Sequence, residues 1–242
     1  MPAWLVVLIY GLITAAATGL GALPFAFVRQ VSPRIVACAT AIAAGLMLGA
    51  SFGLVAEGTV YGRWQTIAGT ILGMLFILVA QRFIHEQRLD LGAFGLAGGH
   101  RALLVVIVMT VHSFAEGVAV GVAFGGGEKL ALLITLAIAV HNIPEGLAIS
   151  AVLRPKGASL LSCGFWSIVS SLPQPLMAVP AFLFVDAFRP VLPYGLGFAA
   201  GAMVFMVLDE LLPEAYEQAS RPVIGLLVSL SIAAMILLQQ YL

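Results

Sequence analysis

Eight times along its 242 residues the chain runs for about 20 residues with few or no charges, the length a helix needs to cross the hydrocarbon core of a bilayer. The runs fall at roughly 4–28, 35–57, 64–84, 102–124, 130–152, 158–184, 191–212 and 222–241. No other feature constrains the fold as much. A chain in lipid must satisfy its backbone polar groups internally, and only helices and closed barrels do so. The runs are continuous rather than alternating, which selects helices. Composition agrees: 62% of the residues are hydrophobic and 9% charged, against about 25% charged in a soluble domain. The expected fold is an all-α integral membrane protein, a single transmembrane domain over residues 1–242 with eight transmembrane helices.

Proline, glycine and charge mark the connections, as in Ser32-Pro33-Arg34, Arg154-Pro155-Lys156-Gly157, Arg189-Pro190 and Arg221-Pro222. With the N-terminus outside, the cytoplasmic loops hold Arg29, Arg34, Arg82, Arg88, Arg101, Arg154, Lys156 and Arg221, eight of the eleven basic residues. Only Arg63, Lys129 and Arg189 remain outside, so the excess of positive charge in inner loops predicts that both termini are external. The first charged residue is Arg29, so the start lacks the basic stretch of a cleavable signal peptide, and the first run is expected to stay in the protein. A formal net charge of zero gives no field to steer the chain to nucleic acid. Cys38 and Cys163 lie in apolar runs outside any CxxC pattern and read as small buried hydrophobes.

Two of the runs echo each other. The fourth reads HSFAEGVAVG from His112 and the fifth HNIPEGLAIS from His141, sharing the frame H-[SN]-x-x-E-G-[VL]-A-[VI]. Residues four apart lie on one helix face, so His112 projects with Glu116 and His141 with Glu145. Facing each other, two such helices present two imidazoles and two carboxylates to one point, a donor set suited to Zn²⁺ or a similar first-row divalent ion. A buried carboxylate in a bilayer needs a partner, and the fourth and fifth runs contain no Lys or Arg between them. A cation from outside the chain is the simplest one. Pro144 removes the hydrogen bond to the Val140 carbonyl and is expected to kink the fifth helix beside the site. In the sixth run Pro173 and Pro175 flank Gln174, which suggests that this amide is aimed at the same cavity. A second echo, AAGLM at Ala43–Met47 and AAGAM at Ala199–Met203, falls in runs predicted to point in opposite directions, as an inverted repeat would leave.

These residues resemble the ZIP family of divalent-metal transporters, most closely its bacterial branch. The resemblance covers essentially the whole chain: eight spans, external termini, paired H-x-x-x-E-G motifs, a proline-broken sixth span and the AAGAM…DELLPEA run of the seventh. It implies an inverted-repeat architecture and a principal metal site of His112, Glu116, His141 and Glu145, with Met47 at a position that can add a thioether. It also implies an adjacent second site at Ser113, Asn142 and Gln174 that shares Glu116 and Glu145. Here the chain departs from the pattern, since many members carry Asn at the position of Ser113 and Glu at that of Gln174. A neutral amide is a weak ligand for such cations, so one ion is expected to bind well and a second weakly or not at all. The implied activity is uptake of Zn²⁺, or of Fe²⁺, Mn²⁺ or Cd²⁺, as transported substrate. The implied setting is a multi-pass homodimer in the plasma membrane, the inner membrane of a bacterium. In it spans 1, 4, 5 and 6 move against 2, 3, 7 and 8.

Asp209, Glu210 and Glu214, at the cytoplasmic end of the seventh run, are candidates for an exit path and equally read as an interfacial acid cluster. His85 and His100 flank a polar loop from about Arg82 to Arg101 and read as solvated. Gly125 to Gly127 reads as a flexible outer loop. Two other functions compete with transport: a metal-binding membrane receptor or degenerate transporter, which Gln174 keeps open, and a membrane metalloenzyme. The chain has neither the HExxH pattern of hydrolytic zinc enzymes nor the Glu-x-x-His pattern of di-iron carboxylate sites, so no enzyme is expected.

Overall fold

The structure, a computed structural model, describes residues 1–28, 30–86 and 99–241, and those residues form helices and turns with no strand among them. The α-helices are α1 (Ala3–Leu20), α2 (Pro33–Tyr61), α3 (Arg63–Glu86), α4 (Gly99–Gly126), α5 (Glu128–Leu153), α6 (Leu160–Ser170), α7 (Pro173–Ala187), α8 (Leu192–Met206), α9 (Leu212–Gln218) and α10 (Arg221–Tyr241). Seven helical segments among the described residues are long and apolar enough to cross a membrane, and α4 adds a helix of 28 residues. Leu72, Leu75 and Val79 of α3 and Leu226, Leu230 and Leu237 of α10 are exposed, as a surface facing lipid requires. The protein is a multi-pass membrane protein.

Three spans are segmented where their sequences break helix chemistry. The first run is helical only to Leu20 and continues as a turn and a 3-10 segment, Leu23–Ala26, because Pro24 cannot donate a helical hydrogen bond. The sixth divides at Ser171 and Leu172 into α6 and α7, with Ser159 capping α6 through its side chain, which accepts from the Ser162 N–H at 3.1 Å. The seventh reaches Gln218, six residues beyond its expected end, and passes through a widened π turn at Val207–Leu211. Pro213 explains that turn, since its missing N–H leaves the Asp209 carbonyl without its usual partner and an i→i+5 turn accommodates the gap. Through Pro144, by contrast, α5 is an uninterrupted helix. The expected flexible loop at Gly125–Gly127 is instead a single-residue turn: Gly125 and Gly126 are helical, and Gly127, at φ 121°, connects α4 directly to α5. Of the cysteines, Cys163 is buried but Cys38 is half-exposed on α2, which corrects the reading of both as buried.

The helices pack as two groups. In one, α1 lies on α5, α6 and α7, and α4 on α5 and α7; in the other, α2 lies on α10, α8 and α9, and α3 on α8. The groups meet mainly where α2 packs on α5 and α4 on α8. Small residues set these distances, as is usual where no hydrophobic force acts between helices in lipid. A Cβ at Gly45 of α2 would stand 2.5 Å from the Val228 carbonyl oxygen of α10, and one at Gly201 of α8 would strike the Thr70 carbonyl of α3. The glycines of the AAGLM and AAGAM echoes thus play the same part in two helix pairs.

Candidate metal site

The hairpin of α4 and α5 decides the site. Its two helices run antiparallel across the tight turn at Gly127, and each carries His one turn before Glu. Reversing direction brings the histidine of one helix level with the glutamate of the other. The pairs accordingly cross over: Nε2 of His141 lies 2.6 Å from Oε1 of Glu116, and Nε2 of His112 lies 3.1 Å from Oε1 of Glu145. Within α4, His112 Nε2 and Glu116 Oε1 are 4.0 Å apart. His112, Glu116 and His141 are fully buried, and Glu145 is 4% exposed. Ligand-capable atoms of His112, Glu116 and Glu145 all fall within 4.8 Å of one another. Among the described residues no Lys or Arg pairs with either glutamate.

His112, Glu116 and Glu145 can hold a divalent cation through one nitrogen and two oxygens, while His141 stands outside that cluster and reaches it through Glu116. Two ionised glutamates balance its charge, which offsets much of the cost of holding charge in a dry interior. The Nδ1 atoms of both histidines lack a protein hydrogen-bond partner. Met47 is fully buried on α2 in the apolar cluster that also contains Ala115 and Ala119 of α4 and Ala137 and Ile138 of α5.

The residues expected at an adjacent position are all fully buried beside Glu116. Gln174 Nε2 donates to Glu116 Oε2 at 2.5 Å, Asn142 Nδ2 donates to Gln174 Oε1 at 3.1 Å, and the same Asn142 amide donates to the Thr14 carbonyl of α1 at 2.8 Å. Ser113 Oγ and Asn142 Oδ1 have no hydrogen-bond partner. The glycines that follow the two glutamates bring these elements together. Gly117 faces the Gln174 and Pro173 carbonyls of α7, where a Cβ would lie 2.6 Å from the Gln174 oxygen, and Gly146 faces the Thr18 carbonyl of α1. Sequence reasoning missed the contribution of α1: Thr14 supplies a carbonyl, and the Thr18 hydroxyl lies 2.7 Å from that of Ser171, at the break between α6 and α7. Two threonines four apart in an apolar helix were the available signal.

On the far side, Pro144, Glu145, Ala148, Leu211 and Glu214 line a small cavity of about 10 Å³, so that Glu145 and Glu214 share a wall. Asp209 is exposed and Glu210 half-buried, both in the π turn. The side chains of His85 and His100, like residues 87–98 between them, lie outside the described residues.

The family model described as ZIP Zinc transporter matches residues 84–239 of this chain. The chain belongs to the ZIP zinc transporter family. Among its relatives, a candidate zinc transporter of Arabidopsis thaliana is 47% identical over 235 residues, 95% of this ZIP chain and 38% of that longer protein. The zinc transporter GufA of Myxococcus xanthus is 34% identical, the match covering 86% of this chain and 88% of GufA. The zinc transporter ZupT of Lysinibacillus sphaericus is 35% identical across 95% of this chain and 96% of ZupT. This ZIP chain therefore spans about the length of these two bacterial relatives and little more than a third of the plant one.

Proposed function

We propose that the chain carries Zn²⁺ across the membrane into the cytoplasm, with Fe²⁺, Mn²⁺ and Cd²⁺ as competing substrates, through His112, Glu116, His141 and Glu145. The observation that carries this reading is the reciprocal pairing of two imidazoles and two carboxylates, buried and, among the described residues, without a Lys or Arg to neutralise them. Zinc is the substrate named for the bacterial relatives, and mixed nitrogen and oxygen ligands suit it. Met47, buried in the apolar cluster with Ala115 and Ala137, would add a fifth, soft donor.

Eight spans with external termini are the topology, supported by the surplus of Lys and Arg in the inner loops. Trp4 and Trp64, exposed at the outer starts of α1 and α3, suit a membrane interface. An inverted repeat relates the halves: Gly45 meets α10 as Gly201 meets α3, and Gly146 meets α1 as Gly117 meets α7. Transport proceeds by movement of the group containing α1, α4, α5, α6 and α7 against the group containing α2, α3, α8 and α10, carrying the bound ion between its two exposures. The cavity shared by Glu145 and Glu214, with Asp209 and Glu210 a turn before Glu214, supports a release path toward the cytoplasmic end of the seventh span. The chain works in the inner membrane of a bacterium as a homodimer, and it is a transporter rather than an enzyme.

Uptake of a panel of divalent metals into liposomes holding the purified protein tests this directly, beside Glu116→Ala and Glu145→Ala. Zinc should enter with the parent and not with either variant; unchanged transport in both variants refutes the site. The Gln174 amide supports a second reading, a metal-binding receptor, which would bind zinc in the same assay and transport no metal.

A further inference from the structure

The amide chain beside Glu116 has a fixed direction. A main-chain carbonyl can only accept, so the Thr14 oxygen forces Asn142 to present its NH₂ group. That NH₂ also reaches Gln174, which must answer with its carbonyl oxygen, Oε1. The remaining end of Gln174 is then its NH₂, and this end meets Glu116 Oε2 at 2.5 Å. Each orientation in the chain follows from the one before, and the first is set by backbone. Gly117 makes the contact possible by letting the first turn of α7 approach α4 one residue from Glu116.

We infer that Gln174 is a positioning residue whose N–H donor occupies the second metal position of this chain, so that the site holds one ion and Glu116 ligates it through Oε1 alone. The inference rests on the four-ligand site proposed above. A donor N–H aimed at Oε2 repels a cation placed there, and it holds the carboxylate so that Oε1 stays toward His141 and the ion. Ser113 Oγ and Asn142 Oδ1, buried without partners, are the acceptors a second ion would use once the donor is replaced by a carboxylate.

The test uses the full chain in lipid nanodiscs, with zinc counted by elemental analysis, titrated by calorimetry and characterised by X-ray absorption at the metal edge. The parent should hold one zinc per chain. Gln174→Ala should still hold one, with affinity lower by about tenfold or more, as expected for loss of a charge-assisted hydrogen bond to a ligand. Its zinc–oxygen shell should also gain an atom as Oε2 is released. Gln174→Glu, nearly isosteric, should hold two, and it keeps the test open if the truncation unfolds the chain. Two equally tight ions on the parent overturn the inference while leaving the four-ligand site intact. So does a second ion failing to bind Gln174→Glu, or a folded Gln174→Ala with unchanged affinity and oxygen shell. A folded parent that binds no zinc refutes the four-ligand site itself, and the inference with it.

Discussion

Gly146→Ala should disable the protein without touching a metal ligand. Gly146 follows Glu145 on α5, and the hydrogen at the place of its side chain faces the Thr18 carbonyl of α1; Gly21, just past the end of α1, packs against the same face of that turn. A methyl at Gly146 overlaps that carbonyl, and neither partner is a side chain that can rotate away. The helices must separate by on the order of 1 Å, an overpacking that costs about 1–3 kcal/mol of stability. His141 and Glu145 ride on α5, while Glu116 and His112 stay with α4. Metal–ligand distances tolerate deviations of only about 0.2 Å, and a displacement of about 1 Å at a functional site typically costs about a hundredfold. Radiolabelled zinc uptake by proteoliposomes with matched protein content, together with zinc titration of the same preparation, should show a loss of that size in both. Gly164→Ala is the control, because its added methyl meets nothing nearer than 3.8 Å, and it should transport like the parent. The reasoning fails if Gly146→Ala, folded, transports and binds zinc within a factor of about three of the parent, since a separation of about 1 Å would then be harmless to the site.

Zinc at about 100 times its dissociation constant should stabilise the parent by about 2.7 kcal/mol, read as a rise in thermal midpoint that EDTA reverses; Glu116→Ala and His141→Ala should show no such rise. Glu214→Gln should lower maximal uptake by about tenfold through loss of local attraction along the exit, with equilibrium zinc binding unchanged; unaltered uptake would remove Glu214 from the path. Thr18→Val and Ser171→Ala should couple by about 0.6 kcal/mol in a double-mutant cycle of stability, the usual value between membrane helices, and additive effects would mean that their 2.7 Å contact contributes nothing.

Much of the site was legible because helix geometry is periodic. The spacing in HSFAEG and HNIPEG already puts His and Glu on one face of each helix, and the short GGG connection makes the helices antiparallel. Gln174 was also legible, from the two prolines that bracket it. Less visible was the shape of the spans near prolines. Pro144 sits within an uninterrupted helix, whereas Pro213 goes with a π turn and Pro173 with a break between helices. The residue type is the same in each case, and the packing around it determines how the missing hydrogen bond is absorbed. The Gly125–Gly127 run shows the same limit, since glycine permits a flexible loop and a tight turn equally.

The sequence by itself determined the membrane-spanning helical class and the types and faces of the candidate ligands, because hydrophobic run length and the 3.6-residue repeat act locally along the chain. The place of α1 beside α5 and the direction of the amide chain from Thr14 to Glu116 were decided only in the tertiary structure. Each of these depends on a backbone carbonyl or a bare glycine Cα from a distant segment. Such groups occur at almost every position in a chain, so residue type alone does not mark the ones that packing will use.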